Sequence, residues 1–276
     1  MHIGIFDSGF GGLTIFKSIR ARLPQYDYLY LGDNARTPYG SRSFDAIFRF
    51  SRECIDELFA RGCKLVIIAC NTASAKALRT LQQKVLPTEH PDRRLLGIIR
   101  PSAEALTDYT RSRSVALWAT EGTVKSLSFS LELDKLAPGL NLIQKACPLL
   151  VPMVEAGELD GPGIEYYLGK YWSETVALAD ASDSGKGIGA LLLACTHYPL
   201  LLPRIRAIVP AHVDILVQGD IVAPSLADYL TRHPEVESML SRNGSQRFLT
   251  TDQTDGFDRL SGVFLGHPVI SEKVGI

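Results

Sequence analysis

Two cysteines in this chain stand where a thiol can do chemistry. Residues 65 to 74 read LVIIACNTAS and residues 190 to 199 read ALLLACTHYP, so twice an apolar run ends in Ala-Cys and passes into small polar residues. The thiols are Cys70 and Cys195, 125 residues apart. An ordinary thiol, with a pKa of about 8.5, is only a few per cent ionised near neutrality, so its use as a base needs help. A place just beyond a buried strand, at the start of a following helix, supplies part of that help because the helix dipole favours thiolate. His197, two residues after Cys195, and Asp7, at the tip of the apolar run IGIF, are the side chains able to supply the rest. Two activated thiols, one from each half of a chain, suit proton transfer on both faces of a single carbon: one base removes a Cα proton while an acid opposite delivers another.

Other stretches offer polar groups at the same kind of position. In DSGFGG, residues 7 to 12, the glycines Gly9, Gly11 and Gly12 let backbone amides approach an anion at a helix start, or simply allow a turn. A dinucleotide fingerprint would need a third glycine where this chain has Thr14. The loop GDNARTPYGS, residues 32 to 41, ends in turn residues whose amides at Gly40 and Ser41 are also able to hold an anion. Asn71, Thr72 and Thr196 stand at helix starts, where capping and carboxylate binding draw on the same amides. Glu155, after two prolines in CPLLVPMVEAG, reads as a solvated loop acid, and Cys54 and Cys63 as structural cysteines on or beside a helix.

The elements that must carry these groups are short aliphatic strands alternating with amphipathic helices. IGIF, YDYLYL, LVIIAC, LLGII at 95 to 99, SVALWA and GALLLAC predict strands; LTIFKSIRARL, the Ser-capped stretch 41 to 62 and NTASAKALRTLQQK predict helices. Continuous apolar strands of this kind indicate parallel sheets covered on both faces, so the class is α/β. In open sheets of that class ligands bind at the carboxyl ends of strands, where DSGFGG, GDNARTPYGS, ACNTAS and ACTHYP are expected to lie. The repeated Ala-Cys favours two similar α/β halves, and the tail from about 211 offers further strands and a helix, with no linker marking a boundary. DASDSGKGI, residues 180 to 188, reads as a surface loop.

Composition narrows the partners. The 276 residues are 46% hydrophobic and 21% charged, with 29 basic against 30 acidic side chains, so no field draws in nucleic acid or an anionic membrane. A small molecule is the expected ligand. MHIGIFDSG carries no export signal and no run reaches the roughly 18 apolar residues of a transmembrane helix, so a cytoplasmic protein is expected. Five cysteines without a CxxC pair predict free thiols, neither a disulfide framework nor a zinc knuckle.

Taken in order, IGIFDSGFGGLT, YLGDNARTPYGSRS, ACNTASAKAL, TEGTVKS, CPLLVPMVEAG and LLACTHYPLLLP resemble the glutamate racemases of the cofactor-independent aspartate/glutamate racemase family over nearly the whole chain. The resemblance implies two flavodoxin-like domains with a cleft between them, the first of residues 1–97 completed by the C-terminal segment 211–276 and the second of residues 98–210. It also implies interconversion of L- and D-glutamate to supply peptidoglycan synthesis, no pyridoxal phosphate or metal, and a homodimer. It makes Cys70 and Cys195 the acid/base pair, assisted by Asp7 and His197, with Glu155 near the second thiol. It assigns substrate binding to Ser8, Tyr39, Gly40 and Ser41, to Asn71 and Thr72, and to Thr123 and Thr196. Arg100 stands where many members carry an acid before the proline, Ala194 replaces a frequent glycine, and VQGDIVA departs from the usual Ser-Gly sequence.

Overall fold

The computed structural model describes residues 1–109, 114–182 and 187–276, so residues 183–186 of the expected surface loop lie outside the described residues. Its chain divides into two compact units, residues 1–98 with 219–276 and residues 99–218. The strands are β1 (Ile3–Asp7), β2 (Tyr28–Gly32), β3 (Leu65–Ile68), β4 (Arg94–Gly97), β5 (Ser114–Ala119), β6 (Leu142–Ala146), β7 (Ile188–Ala194), β8 (Asp214–Val217), β9 (Gln246–Thr250) and β10 (Ser271–Lys273). Among the described residues no helix is long and apolar enough to cross a membrane.

The first unit holds a parallel sheet in the order β10-β9-β2-β1-β3-β4. Every residue of β1, β2 and β3 is buried, as expected for aliphatic strands covered on both faces. One covering layer packs Phe6, Leu31 and Ile68 of the sheet against Ile55, Leu58 and Leu81, each such side chain contributing about 1.5–3 kcal/mol by leaving water. On the other, Phe16 of helix Gly12–Arg22 meets Tyr28 and Phe248 at 5.5 and 5.6 Å between ring centres. The returning C-terminal segment is pinned by Asp27. This buried carboxylate accepts from the Asn243 amide nitrogen and side chain and from Ser245. Burial alone would raise its pKa, but hydrogen bonds from the Ser241 side chain, from Ser245 and from Asn243 outweigh burial and hold it well below the usual range.

The second unit holds a parallel sheet in the order β6-β5-β7-β8. Its central strands β5 and β7 are wholly buried, and Trp118 of β5 donates its indole N–H to Thr175 at 2.9 Å, satisfying the one polar atom of a fully buried ring.

The two sheets share a pattern. The segment β2-β1-β3-β4 of the first unit repeats as β6-β5-β7-β8 in the second, so β1 and β5 are equivalent, as are β3 and β7. In each sheet the chain order reverses between those two strands, and a crevice therefore opens at their carboxyl ends. Cys70 follows β3 and Cys195 follows β7, so the repeated Ala-Cys marks one topological position twice.

Several expectations shift. The units part at Gln218/Gly219, not at 210/211, because β8 pairs with β7 and completes the second sheet. LLGII is extended only to Gly97, and a helix starts at Ile99. A Cβ at Gly97 would come within 2.4 Å of Leu78 Cδ2, so glycine lets the helical run after Cys70, which takes a π turn at Ser74–Leu78, lie against β4. The Ser-capped helix begins at Phe44, and Ser43 caps it by accepting from the Ala46 amide at 3.3 Å.

Candidate active site

At the first crevice, β1 delivers Asp7 and Ser8, and β3 delivers Cys70. Asp7 is the last residue of its strand and is buried; its Oδ2 accepts from the Gly9 amide at 2.9 Å. Gly12 is glycine because of that carboxylate: a Cβ there would lie 2.5 Å from Asp7 Cβ and 2.8 Å from its Cγ. The loop thus needs glycine for space and not for left-handed backbone, since Gly11 is itself right-handed helical at φ −57°. Cys70 is the N-cap of the helical run that follows, and its Sγ accepts from the Ala73 amide at 3.4 Å. The Ser8 hydroxyl lies 3.2 Å from the same sulfur. Amide and hydroxyl donors of this kind stabilise negative charge that develops on sulfur. Asn71 and Thr72, both buried, open the helix. Tyr30 donates to the Gly9 carbonyl at 3.0 Å, and its pKa is raised first by burial and then by the nearby charges of Asp7 and Cys70.

The loop after β2 lies beside β1, with the Asp33 amide donating to the Asp7 carbonyl at 3.0 Å. Tyr39 is buried and its hydroxyl donates to Asp33, so the group left on Tyr39 for a ligand is its backbone. A turn closed by Arg42 N–H to the Tyr39 carbonyl, at 3.0 Å, carries Gly40 and Ser41 as its central residues. Among the described residues the amides of Gly40 and Ser41 donate no hydrogen bond. Ser41 is exposed and Gly40 half-buried.

At the second crevice, β7 delivers Cys195, Thr196 and His197, all buried. The His197 Nε2 lies 3.0 Å from Glu155 Oε1, and the imidazole also hydrogen-bonds Cys195. Burial opposes a charge on His197, but the bonds to Cys195 and Glu155 and their negative charges outweigh it and carry its pKa from 6.5 up to about 10. Glu155 ends a helix, Leu150–Glu155, and is not the solvated loop acid its prolines suggested. Tyr198, fully buried, donates to the Cys147 carbonyl at 3.0 Å and also hydrogen-bonds Cys195. From β5 come Thr120 and Thr123. Thr120 caps helix Glu121–Lys125 by accepting from the Thr123 amide at 3.3 Å, and the two hydroxyls lie 3.0 Å apart.

The remaining cysteines differ in kind. All five are free thiols, but burial pushes Cys63 up to about 12 and raises Cys54 and Cys147 further, so these three stay neutral. Among the described residues no group of three or more His, Cys, Asp or Glu is arranged to hold a metal ion. Sequence reasoning missed Asp33, Arg36, Thr120 and Tyr198. Of these only Thr120, a threonine between a strand and a helix, carries a local signal for its place, that of a cap.

No protein-family model matches the chain. Whole proteins and solved structures do. The chain is 38% identical to a glutamate racemase of Paracoccus denitrificans over 99% of its own length and 100% of that protein. It is 36% identical to one of Sulfurihydrogenibium sp. over 99% and 97%. A crystal structure of a Bacillus anthracis glutamate racemase superposes with a TM-score of 0.88 at 29% identity, covering 100% of this chain and 97% of that one. The Francisella tularensis glutamate racemase, solved with D-glutamate, gives 0.85 at 30%, covering 99% and 97%. With a thiol at the same crevice of two related sheets, and relatives matched from end to end, this chain belongs to the glutamate racemase family.

Proposed function

We propose that the protein interconverts L- and D-glutamate with Cys70 and Cys195 as paired acid and base. In one direction a thiolate takes the Cα proton while the opposing thiol gives its proton to the other face. The Cα–H bond that breaks is replaced by one of opposite configuration, and thiol and thiolate have exchanged places. Turnover in the reverse direction restores them, which is why two similar groups serve better than one. Asp7 assists the first thiol and His197, held by Glu155, the second. Carbanion character at Cα is stabilised electrostatically by donors around the α-carboxylate. Those donors are Ser8, the backbone of Tyr39, Gly40 and Ser41, Asn71 and Thr72 in the first unit, and Thr123 and Thr196 in the second.

The observation that carries this reading is the recurrence of a cysteine at the equivalent crevice of both sheets. The Francisella tularensis relative solved with D-glutamate supports the substrate. A cytoplasmic homodimer supplying D-glutamate for peptidoglycan is the corresponding setting. The test is polarimetry on the purified protein with pure L-glutamate and, separately, pure D-glutamate and no added cofactor. Both rotations should decay to zero; a rotation that stays constant removes the proposal.

A further inference from the structure

The loop between β2 and the Gly40–Ser41 turn is held by one buried carboxylate. Asp33 has no exposed surface. It accepts from Arg36 Nε at 2.9 and 2.7 Å, from the Thr251 hydroxyl at 2.8 Å, and from the Tyr39 hydroxyl. Each of these partners is anchored in turn. The Arg36 guanidinium bonds Glu53 and the Cys54 sulfur on helix Phe44–Ala60, and stacks 4.4 Å from the centre of the Phe50 ring. Thr251 donates its own amide to the Gly32 carbonyl at 3.2 Å, and its hydroxyl accepts from the Ala35 amide at 3.0 Å. The Tyr39 ring packs against Phe6 and Phe50. At the far end of the loop, Lys76 on the helical run behind Cys70 donates to the Arg42 carbonyl at 3.0 Å.

A buried carboxylate with this many donors is costly to break at any one of them, since each loss strands a polar or charged group away from water. A surface loop seldom needs such investment unless its geometry matters. Here the geometry ends in two adjacent amides that, among the described residues, donate to no partner, a donor pair of the kind that receives a carboxylate. Resting on the function proposed above, we infer that Asp33 is a positioning residue for substrate binding. Through Arg36 and the Tyr39 hydroxyl it holds the Gly40 and Ser41 amides as a fixed seat for a substrate carboxylate. Tyr39 is accordingly a strut whose hydroxyl faces inward to Asp33 and does not recognise the substrate.

Tyr39→Phe removes the strut's hydrogen bond while leaving the ring to pack, and is the sharper variant because Asp33→Asn would strand Arg36 as well. Racemisation by the purified variant should show a KM for L- and D-glutamate raised by about tenfold, the scale of one lost charged hydrogen bond, with kcat within about twofold of wild type. Titration of D-glutamate by NMR should show the same loss of affinity. An unchanged KM and affinity overturns the inference, and does so also when the melting temperature falls, because that outcome makes the network purely structural. A fall in kcat at constant KM overturns it too, placing the hydroxyl in the chemistry. If the wild type leaves glutamate's configuration untouched, the function proposed above fails and takes this inference with it; wild-type racemisation with an unshifted Tyr39→Phe removes the inference alone.

Discussion

Cys70 and Cys195 occupy equivalent places in two sheets of the same local order, yet their neighbours have little in common. The first sulfur is met by neutral donors, the Ala73 amide and the Ser8 hydroxyl, with Asp7 at the tip of the adjoining strand. The second is met by an imidazole whose charge Glu155 sustains, and by the Tyr198 hydroxyl. The loop after the second strand shows the same divergence. In the first unit it ends in the Asp33–Tyr39 strut, whereas in the second it returns as a helix whose last residue, Glu155, reaches His197. A repeated fold therefore fixes where the thiol stands, while local sequence decides which side chains meet it. Sensitivity to pH should accordingly enter chiefly from the His197 side.

The largest effect bears on what the two halves share. Cys70→Ser and Cys195→Ser should each lower kcat by about a thousandfold or more, because a hydroxyl is a far weaker acid than a thiol and supplies almost no anionic base near neutrality, and general acid–base groups contribute on that scale. Steady-state racemisation rates check this, and near-normal turnover in either variant breaks the symmetry at its root. The next effect bears on what they do not share. His197→Asn should cost about a hundredfold in kcat, again the scale of a lost acid–base group. It should also change the pH dependence of stability. The folded-state pKa of about 10 lies above the ordinary 6.5, so imidazolium stabilises the fold fully below about 6.5 and that contribution is lost as pH rises through about 10. Thermal melts should show the gap between wild type and His197→Asn narrowing from pH 7 to pH 10; a constant gap contradicts the charged pair. The smallest effect sharpens the first crevice: Gly12→Ala must push the Asp7 carboxylate aside and should lower kcat/KM by about tenfold, as for a misplaced assisting group. Wild-type kinetics in that variant would show that Asp7 needs no fixed place.

Much of this was legible because it is written in short stretches. Buried strands such as LVII and ALLLA are continuous aliphatic runs, and the cysteine beyond each is marked by where the run stops. Other parts lacked a local signature. β6 is half-exposed, and its sequence LIQKA carries too few apolar residues to read as a strand. The helix Pro162–Ala181 buries Ile164, Leu168, Tyr171, Thr175 and Ala179, but its threonine and small alanine blur the apolar stripe. Glu155 looked like a loop acid because two prolines precede it, though Pro152 falls in the first turn of a helix, where proline is tolerated. Asp33 could not be found from its neighbours at all. The residues that explain its burial include Glu53, bound through Arg36, and Thr251, which only the folded sheet brings beside it.

The central claim is that two separate groups serve the two faces of Cα, and isotope placement tests it most directly. L-glutamate is supplied in deuterated water, the reaction is stopped after a few per cent conversion, and both enantiomers are separated and analysed by mass and by the Cα proton signal. Two thiols acting as proposed give D-glutamate carrying solvent deuterium at Cα while the recovered L-glutamate keeps its proton. D-glutamate that retains the substrate's own proton would mean that one group returns it to the opposite face, and would contradict the account.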